Sequence, residues 1–157
     1  MQDIIIGCDH RGLALKNQVK EYLREKKLFF IDVGCADGTQ SADYPLIAKE
    51  VVDCVAGSRH MCGILICGSG IGVSIAANKY KGIRAALCNS VEVARGARQH
   101  NDCNILCLAA DGANIEDIKK IINTFTTTKF LNEEKYKRRI NMLDKATPNT
   151  AEPSLDK

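Results

Sequence analysis

Apolar residues fall along this chain in two alternating patterns. Short strand-like runs at residues 3–7, 28–33, 63–67, 83–87 and 104–108 predict five strands. Helix-period segments separate them. Leu15, Val19, Tyr22 and Leu23 share one face of a first helix. Ile47, Val51, Cys54 and Val55 do the same after Pro45, which suits a first-turn position. Ile115, Ile118, Ile121, Ile122 and Phe125 form a third stripe, with Asn114 as its N-cap. A last helix is predicted from Asn132, with Glu133 and Glu134 in its first turn and Tyr136, Ile140 and Leu143 as its packing face. Strands alternating with helices imply right-handed βαβ units and a parallel sheet covered on both sides. The pattern therefore predicts one doubly wound α/β domain over residues 1–145, including the C-terminal helix. Residues 146–157 are polar, contain Pro148 and Pro153, and read as a loose tail.

Composition narrows the function classes. With 157 residues the chain can bury a sizeable single core. Its net charge is only +3, its basic residues are scattered apart from 129–139, and few aromatics are available to stack on bases, so nucleic acid is not the expected partner. No run approaches the length of a membrane span, and residues 1–6 lack the basic and apolar regions of a signal peptide. The eight cysteines show no CxxC and no histidines at zinc spacing, which reads as reduced cytoplasmic thiols rather than a disulfide framework or metal site.

One cysteine stands apart. In Gly63-Ile64-Leu65-Ile66-Cys67-Gly68-Ser69-Gly70-Ile71-Gly72-Val73-Ser74 it ends the third strand and precedes three glycines at alternate positions. Such a turn brings bare backbone N–H groups to a helix N-terminus, where anions bind and a thiolate is favoured over a thiol. The carboxyl ends of strands are also where open α/β sheets bind ligands. Cys67 is thus a candidate base or nucleophile, weighed against a buried structural thiol. Asp9 and His10 end the first strand at the same edge, where Asp9 either binds ligand or caps the next helix. Asp43 before Tyr44-Pro45 offers the same choice. His100 and Asn101 lead into the fifth strand, and Lys135 and Arg139 share a face of the last helix at a spacing that suits a phosphate clamp or a solvated basic face. Two familiar motifs do not fit. The glycines read GxGxG instead of the dinucleotide GxGxxG, and Val73 stands where a cysteine phosphatase loop needs arginine.

Taken together, Gly7-Cys8-Asp9-His10, Asp43-Tyr44-Pro45, Ile66-Cys67-Gly68-Ser69-Gly70-Ile71-Gly72, Ala76-Ala77-Asn78-Lys79, Gly82-Ile83-Arg84-Ala85 and Arg98-Gln99-His100-Asn101-Asp102 resemble the type B ribose-5-phosphate isomerases, in order and out to about residue 145. The resemblance implies a Rossmann-like fold with a five-stranded parallel sheet, an aldose–ketose isomerase of the pentose phosphate pathway, no metal or coenzyme, and a homodimer, in some members a tetramer, with its site between subunits. It implies Cys67 as the base that moves a proton between C2 and C1, with Gly68, Gly70 and Gly72 of the loop, and Ser74 just beyond, around the substrate. Ser69 would relay protons, and His100, assisted by Asp43, would open the sugar ring. Asn101, Asp9 and Tyr44 would hold the sugar, and His10, Lys135 and Arg139 the phosphate. Two positions depart from the family pattern. Lys135 stands where an arginine is usual, and Ala109-Ala110-Asp111-Gly112 replaces a Gly-x-Arg turn, which reverses a charge and leads us to expect weaker substrate binding with the chemistry intact. Allose 6-phosphate isomerisation and sugar-phosphate binding without turnover are the alternatives.

Overall fold

The computed structural model describes residues 2–35, 42–58 and 60–146. In chain order these form β1 (Asp3–Cys8), a single 3-10 turn (His10–Gly12), α1 (Leu13–Glu25), β2 (Phe30–Gly34), α2 (Tyr44–Val55), β3 (Met61–Cys67), α3 (Ile71–Ala77), β4 (Ala85–Leu87), α4 (Val91–Asn101), β5 (Ile105–Ala109), α5 (Ile115–Thr127) and α6 (Glu134–Ala146). The strands make one sheet in the order β2-β1-β3-β5-β4, every pair parallel. β3, which carries the cysteine motif, is its centre.

Alternation along each strand divides the core in two. Ile4, Ile6, Cys62, Ile64, Ile66, Leu106 and Leu108 face α1, α4 and α5, meeting Leu15, Val19, Ala94, Ile121 and Phe125. Ile5, Leu65, Cys67, Ile105 and Cys107 face α2 and α3, meeting Ile47, Val51, Val55 and Val73. Near-continuous apolar strands are what two covered faces require. The stripes read from the sequence on α1, α2 and α5 face the core, except that Cys54 of α2 is exposed and Ile115 of α5 only partly buried, and Asn114 caps α5 through hydrogen bonds from the Glu116 and Asp117 N–H groups.

Element ends differ from the pattern reading where turns intervene. Leu28 donates its N–H to Leu23 O, closing α1 through a left-handed Lys27, so β2 starts at Phe30 rather than at 28. Ile83 belongs to a turn onto Tyr80, so β4 starts at Ala85. α6 starts at Glu134 and not at Asn132, whose backbone is left-handed (φ 57°) and cannot continue a helix. No residue of α6 is fully buried; of its expected packing face Tyr136 and Ile140 are partly covered and Leu143 is more than half exposed, so that face is only partly covered within this chain. Ala146 ends α6, one residue past the expected domain boundary; the proposed tail from 147 onward and the glycine-bearing loop at 36–41 lie outside the described residues.

A buried charge braces β2 against α1. Lys16 is 1% exposed, and its Nζ donates to Asp32 Oδ1 and to the Cys35 carbonyl, each at 2.6 Å, while Lys20 binds the other Asp32 oxygen. Burial works against the Asp32 carboxylate, but hydrogen bonds from Lys16 and Lys20 outweigh it and hold the group below its ordinary 3.8. A carboxyl depressed by folding stabilises the native state above its unfolded value, and this is lost as pH falls through the folded one. Asp32→Asn should therefore lower stability at pH 7 by about 2–4 kcal/mol, since Lys16 stays buried without its counter-charge. It should also flatten the loss of stability below pH ~4. Urea unfolding of both proteins across that range checks this; parallel acid profiles would assign the acid sensitivity elsewhere.

Candidate active site

The turn after β3 forms because Gly70 adopts a left-handed backbone (φ 73°) at a place without room for a side chain. A Cβ there would meet Leu87 Cδ1 at 2.5 Å and the β5 backbone at Leu108 C (3.0 Å) and Ala109 N (3.1 Å). The turn folds the Gly70 N–H back onto Cys67 Sγ at 3.1 Å. A donor aimed at sulfur stabilises negative charge on it. Cys67 itself is 5% exposed. First-turn N–H groups of a helix lack intrahelical acceptors. At α3 the Ile71 N–H is taken by Ser69 Oγ (3.3 Å), while the Ser74 hydroxyl donates back to Ile71 O (2.9 Å).

The neighbouring strand ends enclose this turn. Ala110 N and Asp111 N donate to the Cys67 and Gly68 carbonyls, both at 2.9 Å, which ties the end of β5 to that of β3. On the other side, Asp9 follows β1. Its Oδ1 accepts the N–H groups of Arg11 and Gly12 at 3.0 Å, so Asp9 does cap the next turn, leaving its second oxygen for other partners. His10 is exposed beside it. Asp43 precedes α2 at the same edge; it makes no side-chain cap bond, and the helix start is held by its carbonyl. The Tyr44 ring lies 3.0–3.2 Å from where a Gly72 Cβ would stand.

His100 and Asn101 lie elsewhere. α4 runs back across the sheet, eleven residues or about 16 Å, and ends at the amino edge of the strands. There Arg84, just before β4, donates to Asn101 O at 2.8 Å. His100 is exposed and stacks on Tyr136 of α6, with ring centroids 4.8 Å apart. Lys135 is tied to Glu133 at 2.8 Å and lies over the Tyr136 ring, while Arg139 is exposed on the same helix. Within one chain, the expected site residues thus form two groups. Cys67, Ser69, the glycines, Ser74, Asp9, His10, Asp43 and Tyr44 gather at the carboxyl edge, and His100, Asn101, Lys135 and Arg139 at the other.

All eight cysteines are free thiols, and only Cys54 is exposed. Burial pushes Cys8 and Cys88 up to about 12 and Cys62 and Cys103 to about 11, so these remain protonated and apolar. Among the described residues no group of three His, Cys, Asp or Glu could hold a metal ion, and no helix is long and apolar enough to cross a membrane.

Comparison with known proteins extends from this geometry. The model of the Ribose/Galactose Isomerase family matches residues 4–143. The chain belongs to that family. A family member from Rickettsia typhi, named no more closely than a sugar phosphate isomerase, is 47% identical over 128 residues, 82% of this chain and 88% of its own. Ribose-5-phosphate isomerase B of Escherichia coli is 42% identical over 125 residues, 80% of this chain and 83% of that protein. Among solved structures, the ribose 5-phosphate isomerase of Thermotoga maritima superposes with a TM-score of 0.87 at 42% identity, over 92% of this chain and 98% of that one. The all-parallel sheet and its flanking helices are this family's Rossmann-like fold.

Sequence reasoning missed Arg11. Its Nη2 donates to Asp111 Oδ2 at 2.6 Å, so the negative charge read as a reversal at 111 is paired within the chain. The available signal was an arginine inside the Asp9-His10 motif together with an aspartate after β5, two neighbours of β3 whose adjacency only the sheet order reveals.

Proposed function

We propose that this protein interconverts ribose 5-phosphate and ribulose 5-phosphate. The observation that carries the reading is the Cys67 thiol, held under the Gly70 N–H at the end of the central strand with Asp9 and His10 alongside, in a chain of the ribose/galactose isomerase family. Cys67 takes the C2 proton of the open-chain aldose and returns it to C1. The C1 carbonyl oxygen gains the charge as C2 loses its proton, and N–H groups of the 68–72 turn stabilise that enediolate. Ser69 carries the hydroxyl proton from O2 to O1, which leaves a ketone at C2. Asp9 and Tyr44 hold sugar hydroxyls and His10 the phosphate.

His100 opens the furanose ring with help from Asp43, Asn101 binds a substrate oxygen, and Arg139 with Lys135 closes on the phosphate. The separation of these groups from Cys67 by the height of the sheet, with the partly exposed face of α6 beside them, supports a site completed by a second copy of the chain. A two-fold pair would bring the His100 edge of one protomer to the Cys67 edge of its partner. Exchanging subunits between Cys67→Ala and His100→Asn variants should then give activity above the sum of the two, toward about a quarter of wild type, since half the dimers keep one intact site. A mixture no better than the sum would put all the residues of a site on one chain.

Initial rates on ribose 5-phosphate and allose 6-phosphate test the reading itself. Turnover of the pentose with the higher kcat/KM supports it. Preference for the hexose would make this a hexose phosphate isomerase, and turnover of neither a binding protein.

A further inference from the structure

Among the described residues, the Arg11–Asp111 pair differs from the other exposed ion pairs, which join residues close in sequence. Arg24–Glu21, Lys49–Asp53 and Lys120–Asp117 each join neighbours on one helix, where such pairs contribute little. Arg11–Asp111 joins residues a hundred apart. It links the turn after β1 to the turn after β5, and because β3 lies between those strands, it bridges the end of β3 directly over the Cys67–Gly68 turn.

Both ends of this bridge are tethered. Arg11 N is capped by Asp9, and Asp111 N is bonded to Gly68 O. The guanidinium lies against bare backbone: a Cβ on Gly68 would meet Cζ at 2.6 Å, Nε at 2.7 Å and Nη1 at 2.8 Å. Gly68 is therefore also a seat for the arginine. One of five N–H donors is spent on Asp111, and the others make no hydrogen bond among the described residues. The side chains of both partners remain more than half exposed, 58% and 55%. A planar fork held on one edge and open on the other is the geometry that takes a phosphate oxygen pair.

We infer that Arg11 joins His10 as an anion-binding residue of this edge, gripping the terminal phosphate of the sugar, and that Asp111 is the residue that positions it. The assignment rests on the isomerase reading above. It also changes the expectation drawn from Asp111 alone. The cationic group at this edge comes from β1 rather than β5, and replacing Asp111 by arginine would set two guanidinium groups against each other.

The test is a series of Arg11→Met, Asp111→Asn and the double variant, read by steady-state kinetics on ribose 5-phosphate and by calorimetric titration with inorganic phosphate. Losing charge-assisted hydrogen bonds to phosphate should raise KM and the phosphate Kd together by about 10- to 100-fold in Arg11→Met, with kcat within about threefold. Asp111→Asn should weaken phosphate binding several-fold, because an untethered guanidinium pays more entropy on binding. The double variant separates gripping from mere neutralisation. It should stay at least about fivefold weaker than wild type, since the fork is still missing. Three results would overturn the inference: a double variant that recovers wild-type KM, an Arg11→Met protein with both constants unchanged, or one that loses kcat at constant KM. If wild type binds phosphate through Arg11 yet turns over no pentose phosphate, the isomerase reading fails and the Arg11 site stands.

Discussion

Cys67→Ala is expected to lower kcat on ribose 5-phosphate by about 10²–10⁴-fold, the usual contribution of a positioned general base, with KM within a few-fold of wild type. The fold should survive. Cys67 is one small side chain between α2 and α3, and trimming it to alanine costs on the order of 1 kcal/mol. Cys67→Ser should lose activity to a similar extent, although it keeps shape and hydrogen bonding, because a serine hydroxyl ionises far less readily than a thiol. That variant distinguishes a base from a space-filling group. Cys54→Ser provides the control: its thiol is exposed on α2, and its loss should leave both constants unchanged. If Cys67→Ala and Cys67→Ser both retain more than about a tenth of wild-type kcat, Cys67 is structural and the proton is moved by another group.

Gly70→Ala carries the second large effect, and it joins stability to chemistry. A left-handed backbone costs a residue with a Cβ roughly 1–2 kcal/mol. At Gly70 the Cβ also meets the β5 main chain at 3.0–3.1 Å, which has no rotamer to yield, so overpacking adds roughly 1–3 kcal/mol. The melting temperature should fall by roughly 5–15 °C. Any shift that relieves the clash draws the Gly70 N–H away from Cys67 Sγ, and kcat should drop at least about tenfold with it. Gly82→Ala isolates the first part of the effect. Gly82 is equally left-handed (φ 76°), but nothing lies within 4 Å of its would-be Cβ. It should cost about 1 kcal/mol and leave kcat unchanged. Equal losses from the two substitutions would mean that backbone strain alone, and not the contact with β5 and Cys67, explains Gly70.

These two residues also show how far sequence reading reached. The run from Gly63 to Cys67 reads as a buried strand bounded by turn signals, and the glycines at alternate positions after it allow a close turn. Cys67 at the carboxyl end of a central strand followed from those facts, as did the helical faces of α1, α2 and α5 and the cap at Asn114. Such features depend on residues close together in sequence, whose periods of 2 and 3.6 are imposed by backbone geometry. Where local turns competed with the pattern, at Lys27, Ile83 and Asn132, the boundaries moved by a few residues.

Relations between distant segments had a different origin. His100 and Cys67 share no period, and their separation follows from the direction in which α4 crosses the sheet. Asp111 looked like an isolated reversed charge until the strand order β1-β3-β5 set Arg11 beside it. Lys16 lies on the helical face of Leu15 and Val19, and only the packing of β2 on β1 shows that Asp32 receives its charge. The sequence by itself determined the elements, a sheet covered on both faces and the thiol at the central strand end, because local sterics and burial decide them. Only the tertiary structure decided which charges meet and which groups share an edge, because ion pairs and site geometry depend on through-space distance, and sequence separation says nothing about that.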